Sequence, residues 1–313
     1  MTRSTSCFFH PITLRFFLPR VPNIWGWKSW KKHLIPAWVG CLLLFTFPAL
    51  PAAAQSLEGL VGDSNVPVEI YADEGIEWLQ EKQVYIARGK ARAVRGGVTL
   101  DADVLTAHYR STGESGTDIW RLDADSNVII RDSSSVIHAD RGIFYVAKGI
   151  LVLTGRNLRL ETGKSVVTAR DSMEYWQLKD MAVARGNARV VNENRRIDAD
   201  VLTAYFHEVP GKGSGLQRVE AFGNVKIKTP KETITSEKGN YDTVTGIVSI
   251  SGSVEILRDG NQLAGEYGEV NLNTDVSRLL GAPPGGSKKG RVRGVLSPKK
   301  ETKIEPKKTT PPQ

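Results

Sequence analysis

The chain repeats itself at a fixed distance, and this constrains its fold more than any single motif. Residues 87–109 read ARGKARAVRGGVTLDADVLTAHY and residues 184–206 read ARGNARVVNENRRIDADVLTAYF, 97 residues apart without a gap and identical at 13 of 23 positions. The register continues downstream. Arg121, Asn127 and Val128 fall on Arg218, Asn224 and Val225; Ile137, Gly142, Phe144, Gly149 and Gly155 fall on Ile234, Gly239, Tyr241, Gly246 and Gly252. A duplication this regular predicts an architecture made by stacking one supersecondary unit, with repeats over 71–167 and 168–264. It favours an elongated binding surface over a catalytic centre, because an active site rarely appears twice along one chain.

The repeated segments read as strands. Between residues 66 and 272 short apolar/polar alternations are broken every 8–12 residues by Gly, Asn, Asp or Ser, and no long stretch has helical periodicity. In Gly223-Asn224-Val225-Lys226-Ile227, Val225 and Ile227 point one way and Lys226 the other; Val248, Ile250, Val254 and Ile256 likewise share one face. Leu100 and Ala102 share a face, then Leu105, Ala107 and Tyr109 fall out of step by one, which predicts a β-bulge near Asp103 and its counterpart near Asp200. Gly89, Gly186 and Gly223 recur near strand starts and suit bulges or close backbone approach. A smaller motif, Ile-x-Ala-Asp ending in an aromatic, is expected about twice per repeat: Leu100…Tyr109 with Ile137…Phe144, and Ile197…Phe206 with Ile234…Tyr241. The segment Gly155-Arg156-Asn157-Leu158-Arg159-Leu160 is one residue out of phase with Gly252-Ser253-Val254-Glu255-Ile256.

In these residues the chain resembles the OstA-like family of lipopolysaccharide-transport periplasmic proteins, the LptA type. The family's Gly-Asn-Val-x-Val strands and Ala-Asp…Tyr segments are met by Gly223-Asn224-Val225-Lys226-Ile227, Ala102-Asp103…Tyr109 and Ala139-Asp140…Phe144, and its Leu-Thr-Gly turn by Leu153-Thr154-Gly155. The resemblance covers roughly residues 66–272 and implies an all-β fold, an open, twisted β-jelly roll. It further implies an apolar interior that holds the acyl chains of lipid A, and end-to-end stacking into a bridge across the periplasm. Implied partners are lipopolysaccharide, the inner- and outer-membrane lipopolysaccharide-transport components, and further copies of the chain. Whether one continuous roll or two tandem rolls form stays open at this point.

The ends read differently from the middle. Lys28, Lys31 and Lys32 precede an apolar run from Leu34 to Phe47, and Pro51-Ala52-Ala53-Ala54 follows, so residues 1–54 read as a cleaved signal peptide, with an uncleaved anchor as the rival. The n-region is long, and Val21 is a candidate downstream start. Both cysteines, Cys7 and Cys41, lie in that segment, which leaves no thiol chemistry in the mature chain. Residues 55–65 read as a linker and 273–313 as a disordered basic tail, rich in Lys, Pro, Gly and Thr. The formal charge of +8 resides in these ends. Residues 55–286 hold 27 bases against 32 acids, a net of −5, which argues against nucleic acid as a partner. The expected location is the periplasm.

The candidate chemistry is sparse. The pairs Asp101/Asp103 and Asp198/Asp200 are the best acid–base candidates, but no nucleophile or histidine accompanies them, and solvent-facing strand carboxylates are the simpler reading. His108, His138 and His207 have Tyr205, Thr235 and Arg110 at their repeat-related positions, so the fold does not demand them. No metal-ligand spacing, phosphate loop or Gly-x-Ser-x-Gly motif is present, so neither a cofactor nor enzymatic activity is expected. The candidate ligand-binding residues are those of the inward face: Leu100, Leu105, Tyr109, Val128, Ile130, Ile137, Phe144, Val190, Ile197, Leu202, Phe206, Val225, Ile227, Ile234, Tyr241, Val248, Ile250, Val254 and Ile256. Arg88, Arg92, Arg185 and Arg189 read equally as rim contacts for lipid phosphates and as ordinary outer-face charges. The edges expected to pair with another copy are the first strand, around Val66–Tyr71, and the last, around Gln262–Leu272. The competing functions are a ligand-free structural or adhesin-like β-solenoid and a carbohydrate-active β-helix enzyme.

Overall fold

The computed structural model describes residues 68–111, 117–209, 213–271, 273–274, 276–285 and 290–297. The expected signal peptide, the linker, most of the two repeat-related loops and the residues after 297 lie outside them. The alternating segments form strands throughout: β1 Glu69–Tyr71, β2 Gly75–Leu79, β3 Val84–Arg95, β4 Val98–Ser111, β5 Thr117–Arg131, β6 Ser135–Tyr145, β7 Ile150–Thr154, β8 Leu158–Thr162, β9 Ser165–Ala169, β10 Ser172–Trp176, β11 Met181–Asn192, β12 Arg195–Val209, β13 Gly213–Lys228, β14 Glu232–Asp242, β15 Ile247–Arg258, β16 Asn261–Asn271, β17 Val276–Leu280 and β18 Arg293–Val295. All belong to one antiparallel hydrogen-bonded system, so the two repeats make one continuous roll.

Four ranks of this system consist of two short strands end to end. β1 and β2 both pair with β3, β7 and β8 with β6, β9 and β10 with β11, and β17 and β18 with β16. The unbroken ranks slip register in mid-strand: at Arg88/Ala91, Asp101/Val104, Asp125/Val128, Arg185/Ala188, Asp198/Val201, Phe222/Val225, Thr235/Lys238 and Ser251/Val254. These slips and the gaps in the broken ranks line up into a single crease running across the strands. On one side lie β2, β7, β10, β17 and the adjoining strand halves, here the first layer. On the other lie β1, β8, β9, β18 and the remaining halves, the second layer.

The crease has a repeating chemical construction. Residues in the left-handed region occupy it on alternate ranks: Gly89-Lys90, Ser126-Asn127, Gly186-Asn187, Gly223-Asn224 and Gly252-Ser253, with Gly155 in the gap between β7 and β8. An acidic side chain of the preceding rank lies over each glycine. A Cβ on Gly186 would come within 2.3 Å of the Asp171 carboxylate, and one on Gly223 within 2.3 Å of that of Asp200. Only glycine combines the positive φ with this approach. Asn127 and Asn224 then donate from Nδ2 to Asp103 and Asp200, each at 2.8 Å. The acid–turn pairing recurs at Glu74, Asp103, Asp140, Asp171, Asp200 and Glu237, three times per repeat rather than about twice. The inward phase does slip at Asp103, but the extra residue of each bulge is supplied by the neighbouring Gly/Asn strand.

Side-chain alternation then gives each layer one inner face. In the first layer Tyr85, Ala107, Leu122, Phe144, Leu151, Tyr175, Ala182, Ala204, Val219, Tyr241, Val248 and Val270 stand directly opposite one another, rank after rank. In the second layer Ala93, Leu100, Ile130, Ile137, Leu160, Val167, Val190, Ile197, Ile227, Ile234, Ile256 and Leu263 do the same. Residues of both layers join in one apolar core.

Two expected boundaries are corrected. β17 and β18 lie within the segment expected to be disordered from residue 273, so the roll runs on to Val295. Gln262–Leu272 is therefore not an edge: β16 is covered by β17 and β18, which carry the last edge themselves. The ten residues between Leu280 and Arg291, four of them glycine and two proline, hide the continuation from a reading based on apolar alternation. The one-residue phase difference after Gly155 has a direct consequence: rank β7/β8 is broken, whereas its repeat counterpart β15 stays continuous through a bulge.

Candidate functional site

Between the two layers, where the repeats meet, lies an apolar cavity of about 250 Å³. Its first-layer wall includes Leu151, Leu153, Met173, Tyr175, Ala182, Leu202, Phe206 and Tyr241; its second-layer wall includes Ile137, Leu160, Val167, Val190 and Ile197. An apolar cavity of roughly 150 Å³ already accepts a benzene-sized guest, so this one has room for a longer apolar segment.

The expected inward-facing residues divide into three groups. Ile137, Val190, Ile197, Leu202, Phe206 and Tyr241 line the cavity. Leu100, Leu105, Tyr109, Val128, Ile130 and Phe144 are buried in the first repeat, and Val225, Ile250 and Val254 are buried beside the crease of the second. Ile227, Ile234, Val248 and Ile256 are half-buried on the inner faces of the second repeat. Sequence reading missed Leu151, Leu153, Leu160, Val167, Met173 and Tyr175, which sit on the broken ranks where repeat register is hardest to follow. A signal was present: Ala169-Arg170-Asp171…Tyr175 is a further copy of the acid–aromatic motif.

The cavity follows from a change between the repeats. In the first, Trp78 stacks on Tyr85 with centroids 5.6 Å apart, Tyr85 lies 5.0 Å from Tyr109, and Trp78 Nε1 donates to Tyr109 Oη at 2.8 Å. The repeat-related positions are Tyr175, Ala182 and Phe206, all on the cavity wall. Alanine where the first repeat has Tyr85 removes a whole ring. Phe206 in place of Tyr109 removes the hydroxyl that ties the aromatic cluster together.

The charged residues are occupied elsewhere. Asp101 pairs with Arg92 at 2.6 Å and with Arg131; Asp198 pairs with Arg189 at 2.7 Å and Arg196 at 2.6 Å. Asp103 and Asp200 serve the crease, so neither pair forms an acid–base dyad. Arg88 faces Glu77 at 3.4 Å and Arg185 faces Glu174 at 2.8 Å, which makes the four suggested rim arginines surface ion-pair partners. Burial opposes the charge of Glu174, but hydrogen bonds from Arg185, Trp176 and Ser172 outweigh it and hold the carboxyl below its usual range. Asp198 is likewise held low, burial being outweighed by Arg196 and Arg189. Burial pushes the Tyr241 hydroxyl up, with Asp242 adding to the effect. His108 Nε2 lies 3.1 Å from Asp123 Oδ2, and Arg121 Nε donates to the other oxygen, Oδ1, at 2.6 Å. Among the described residues no group of three or more His, Cys, Asp or Glu is placed to hold a metal.

The family described as "LptA/(LptD N-terminal domain) LPS transport protein" matches residues 170–276, from the break between β9 and β10 to the first residue of β17. Over those residues the chain is similar to this LptA-type family. Among related sequences, an uncharacterized protein of Rhizobium meliloti (strain 1021) is 26% identical over 137 residues, 42% of this chain and 73% of that protein. Among solved structures, LptH, the LptA homologous periplasmic component of the lipopolysaccharide transport device from Pseudomonas aeruginosa, shares 17% identity with a TM-score of 0.37, over 43% of this chain and 95% of that one. The matched LptA-type segment holds the half-buried inner faces of the second repeat and much of the first-layer cavity wall.

Proposed function

We propose that this LptA-type protein is a non-enzymatic periplasmic lipopolysaccharide-binding protein that carries lipid A from the inner to the outer membrane, its acyl chains held between the two apolar layers. The observation that carries the reading is the cavity, flanked by inner faces that stay half-buried through the second repeat. Acyl chains entering it leave water, worth about 0.8 kcal/mol per buried CH₂ before ordering costs. Such a transfer requires no reacting group.

Self-association supplies the length a bridge needs. The first rank exposes Tyr71, Ile76 and Trp78, and the last exposes Val276 and Val295 with Leu296 beside it, so both edges, unpaired among the described residues, carry apolar side chains. An open edge of this kind accepts a further strand. The expected result is concentration-dependent head-to-tail assembly, abolished by a proline in β1 or β17; sedimentation unchanged by either substitution would remove assembly from the proposal. The test of the function itself is native mass spectrometry of the protein purified from a Gram-negative envelope. A lipid A-sized adduct is expected, and Ile227→Arg, which places a charge on the half-buried inner face, should abolish it. A bare protein mass, with lipopolysaccharide failing to bind on titration, would return the chain to the ligand-free structural reading.

A further inference from the structure

Two turns stand side by side on the outer margin of the first layer, at the end of the cavity wall. One, between β6 and β7, is a single 3-10 turn, Val146–Lys148, closed by Gly149; the other, between β10 and β11, is Gln177–Lys179, closed by Asp180. The Gln177 N–H donates to the Gly149 carbonyl at 2.8 Å, which fixes the turns to each other. Behind them, alternation sends Leu151, Tyr175 and Ala182 inward, onto the cavity wall, and Tyr145, Ile150, Trp176 and Met181 outward. These outward four are direct cross-strand partners in one half-buried row, which Tyr205 continues.

The row and its turns have an amphipathic composition. Lys148 Nζ lies 5.6 Å from the centre of the Tyr145 ring and Lys179 Nζ 4.7 Å from that of Trp176, whose Nε1 donates to Glu174 at 3.0 Å. Leu178, at the tip between Trp176 and Lys179, is 78% exposed. Residues 145–149 and 176–180 hold two lysines against one acid, Asp180, in a folded part whose net charge is −5. The turn itself does not demand these residues. In the repeat-related turn between β2 and β3, Gln83 N–H donates to the Gln80 carbonyl at 3.1 Å as Asp180 does to Gln177 at 2.9 Å, with φ of 51° and 44°. That turn carries Glu81 where Leu178 stands, and Leu79 in place of Trp176. Asp242 and Thr245 likewise replace Tyr145 and Lys148 in the turn between β14 and β15. A leucine exposed at the apex of an aromatic row, flanked by ammonium groups, is the composition that settles at a lipid–water boundary.

We infer that these two turns dock on the surface of an anionic bilayer: Leu178 enters the acyl boundary, Tyr145 and Trp176 lie at headgroup level, and Lys148 and Lys179 face lipid phosphates. The inference goes beyond the acyl-chain reading and does not depend on what the cavity holds. Its consequence is to bring the cavity wall at Leu151 and Tyr175 against a lipid surface.

The test places a polarity-sensitive dye on Ala147→Cys or, as the control, on Glu81→Cys, in the full chain with Cys7→Ser and Cys41→Ser. Each protein is titrated with vesicles of phosphatidylethanolamine and phosphatidylglycerol, and with vesicles of phosphatidylcholine alone. The dye at position 147 should shift to the blue on the anionic vesicles, and the dye at position 81 should not. Leu178→Glu, which installs the residue of the repeat-related turn, should weaken the response at position 147 by roughly tenfold or more and leave the melting temperature unchanged. Lys148→Gln with Lys179→Gln should weaken it roughly tenfold on anionic vesicles and leave the phosphatidylcholine titration unaltered. Protein that sediments with the vesicles while the dye at position 147 stays unshifted is held by another part of the chain, which overturns the inference. Equal shifts at both positions, or a full response in Leu178→Glu, overturn it as well. A shift that grows with protein concentration in the absence of vesicles would make the turns a protein contact and would equally overturn it. Lipopolysaccharide binding by the Leu178→Glu protein reads the cavity separately, so either proposal can fail alone.

Discussion

The two repeats share a crease but not an interior. Beside the crease, repeat-related residues are buried alike: Leu105 and Leu202, Val128 and Val225, Leu153 and Ile250. Farther out they part. Leu100, Ile130, Ile137 and Phe144 are buried, whereas Ile197, Ile227, Ile234 and Tyr241 are half-buried. One strand system thus serves as a filled core at one end and as a lined groove at the other. The cause is local: the first repeat fills its space with the Trp78–Tyr85–Tyr109 cluster, and the second has Ala182 and Phe206 where two of those rings stand. A duplicated unit can divide labour in this way because the glycine-and-acid crease holds the layers together independently of what lies between them.

The comparison breaks most clearly at a buried charge. Ile130→Arg should cost about 3–5 kcal/mol, the scale of an unpaired charge in a core, and abolish cooperative unfolding. Ile227→Arg, at the repeat-related position, should cost about 1 kcal/mol or less, since a half-buried guanidinium still reaches water. Denaturant titration of the two variants compares them directly, and equal losses would mean that the second repeat is as closed as the first.

Exchanging the filling residue is the next sharpest test. Tyr85→Ala should destabilise by about 2–4 kcal/mol and open a second cavity, while Ala182→Tyr should fill the existing one and displace lipid. Lipid binding that persists in the Ala182→Tyr protein would place the acyl chains elsewhere.

The crease should not distinguish the repeats. Gly155→Ala and Gly252→Ala meet Asp140 and Glu237 at 2.6 Å, and each should cost about 1–3 kcal/mol in thermal unfolding. A cost confined to one of them would show that the two repeats are hinged differently.

The smallest effect is on acid stability. Glu174 and Asp198, both in the second repeat, have carboxyls held below their usual values. Their contribution is present above the unfolded carboxylate range near pH 4 and is lost as pH falls through the lower folded values. Glu174→Gln and Asp198→Asn together should lower stability near neutrality and flatten the curve below about pH 4, so that variant and unaltered protein converge in acid. A curve still as steep would assign acid sensitivity to other carboxylates.

Much of the fold was legible in residues. The 97-residue spacing, the Gly-Asn pairs and the phase slip at Asp103 are local signals, because a bulge needs particular φ values and particular residues at them. The groove was only half legible. Alternation identified Leu100 and Ile197 as equivalent inward residues, and nothing within those strands distinguishes a filled space from an empty one. The sequence left Arg88, Arg92, Arg185 and Arg189 open between rim contacts and outer-face charges for a related reason: their carboxylate partners are on neighbouring strands.

The sequence by itself determined an all-β duplicated chain with bulges at repeated positions, since periodicity and positive-φ residues act over a few neighbours. Tertiary structure alone decided that the roll is continuous, that β17 and β18 extend it, and that its interior opens around Ala182. Those features depend on volume and pairing summed across ranks far apart in the chain, which no local pattern records.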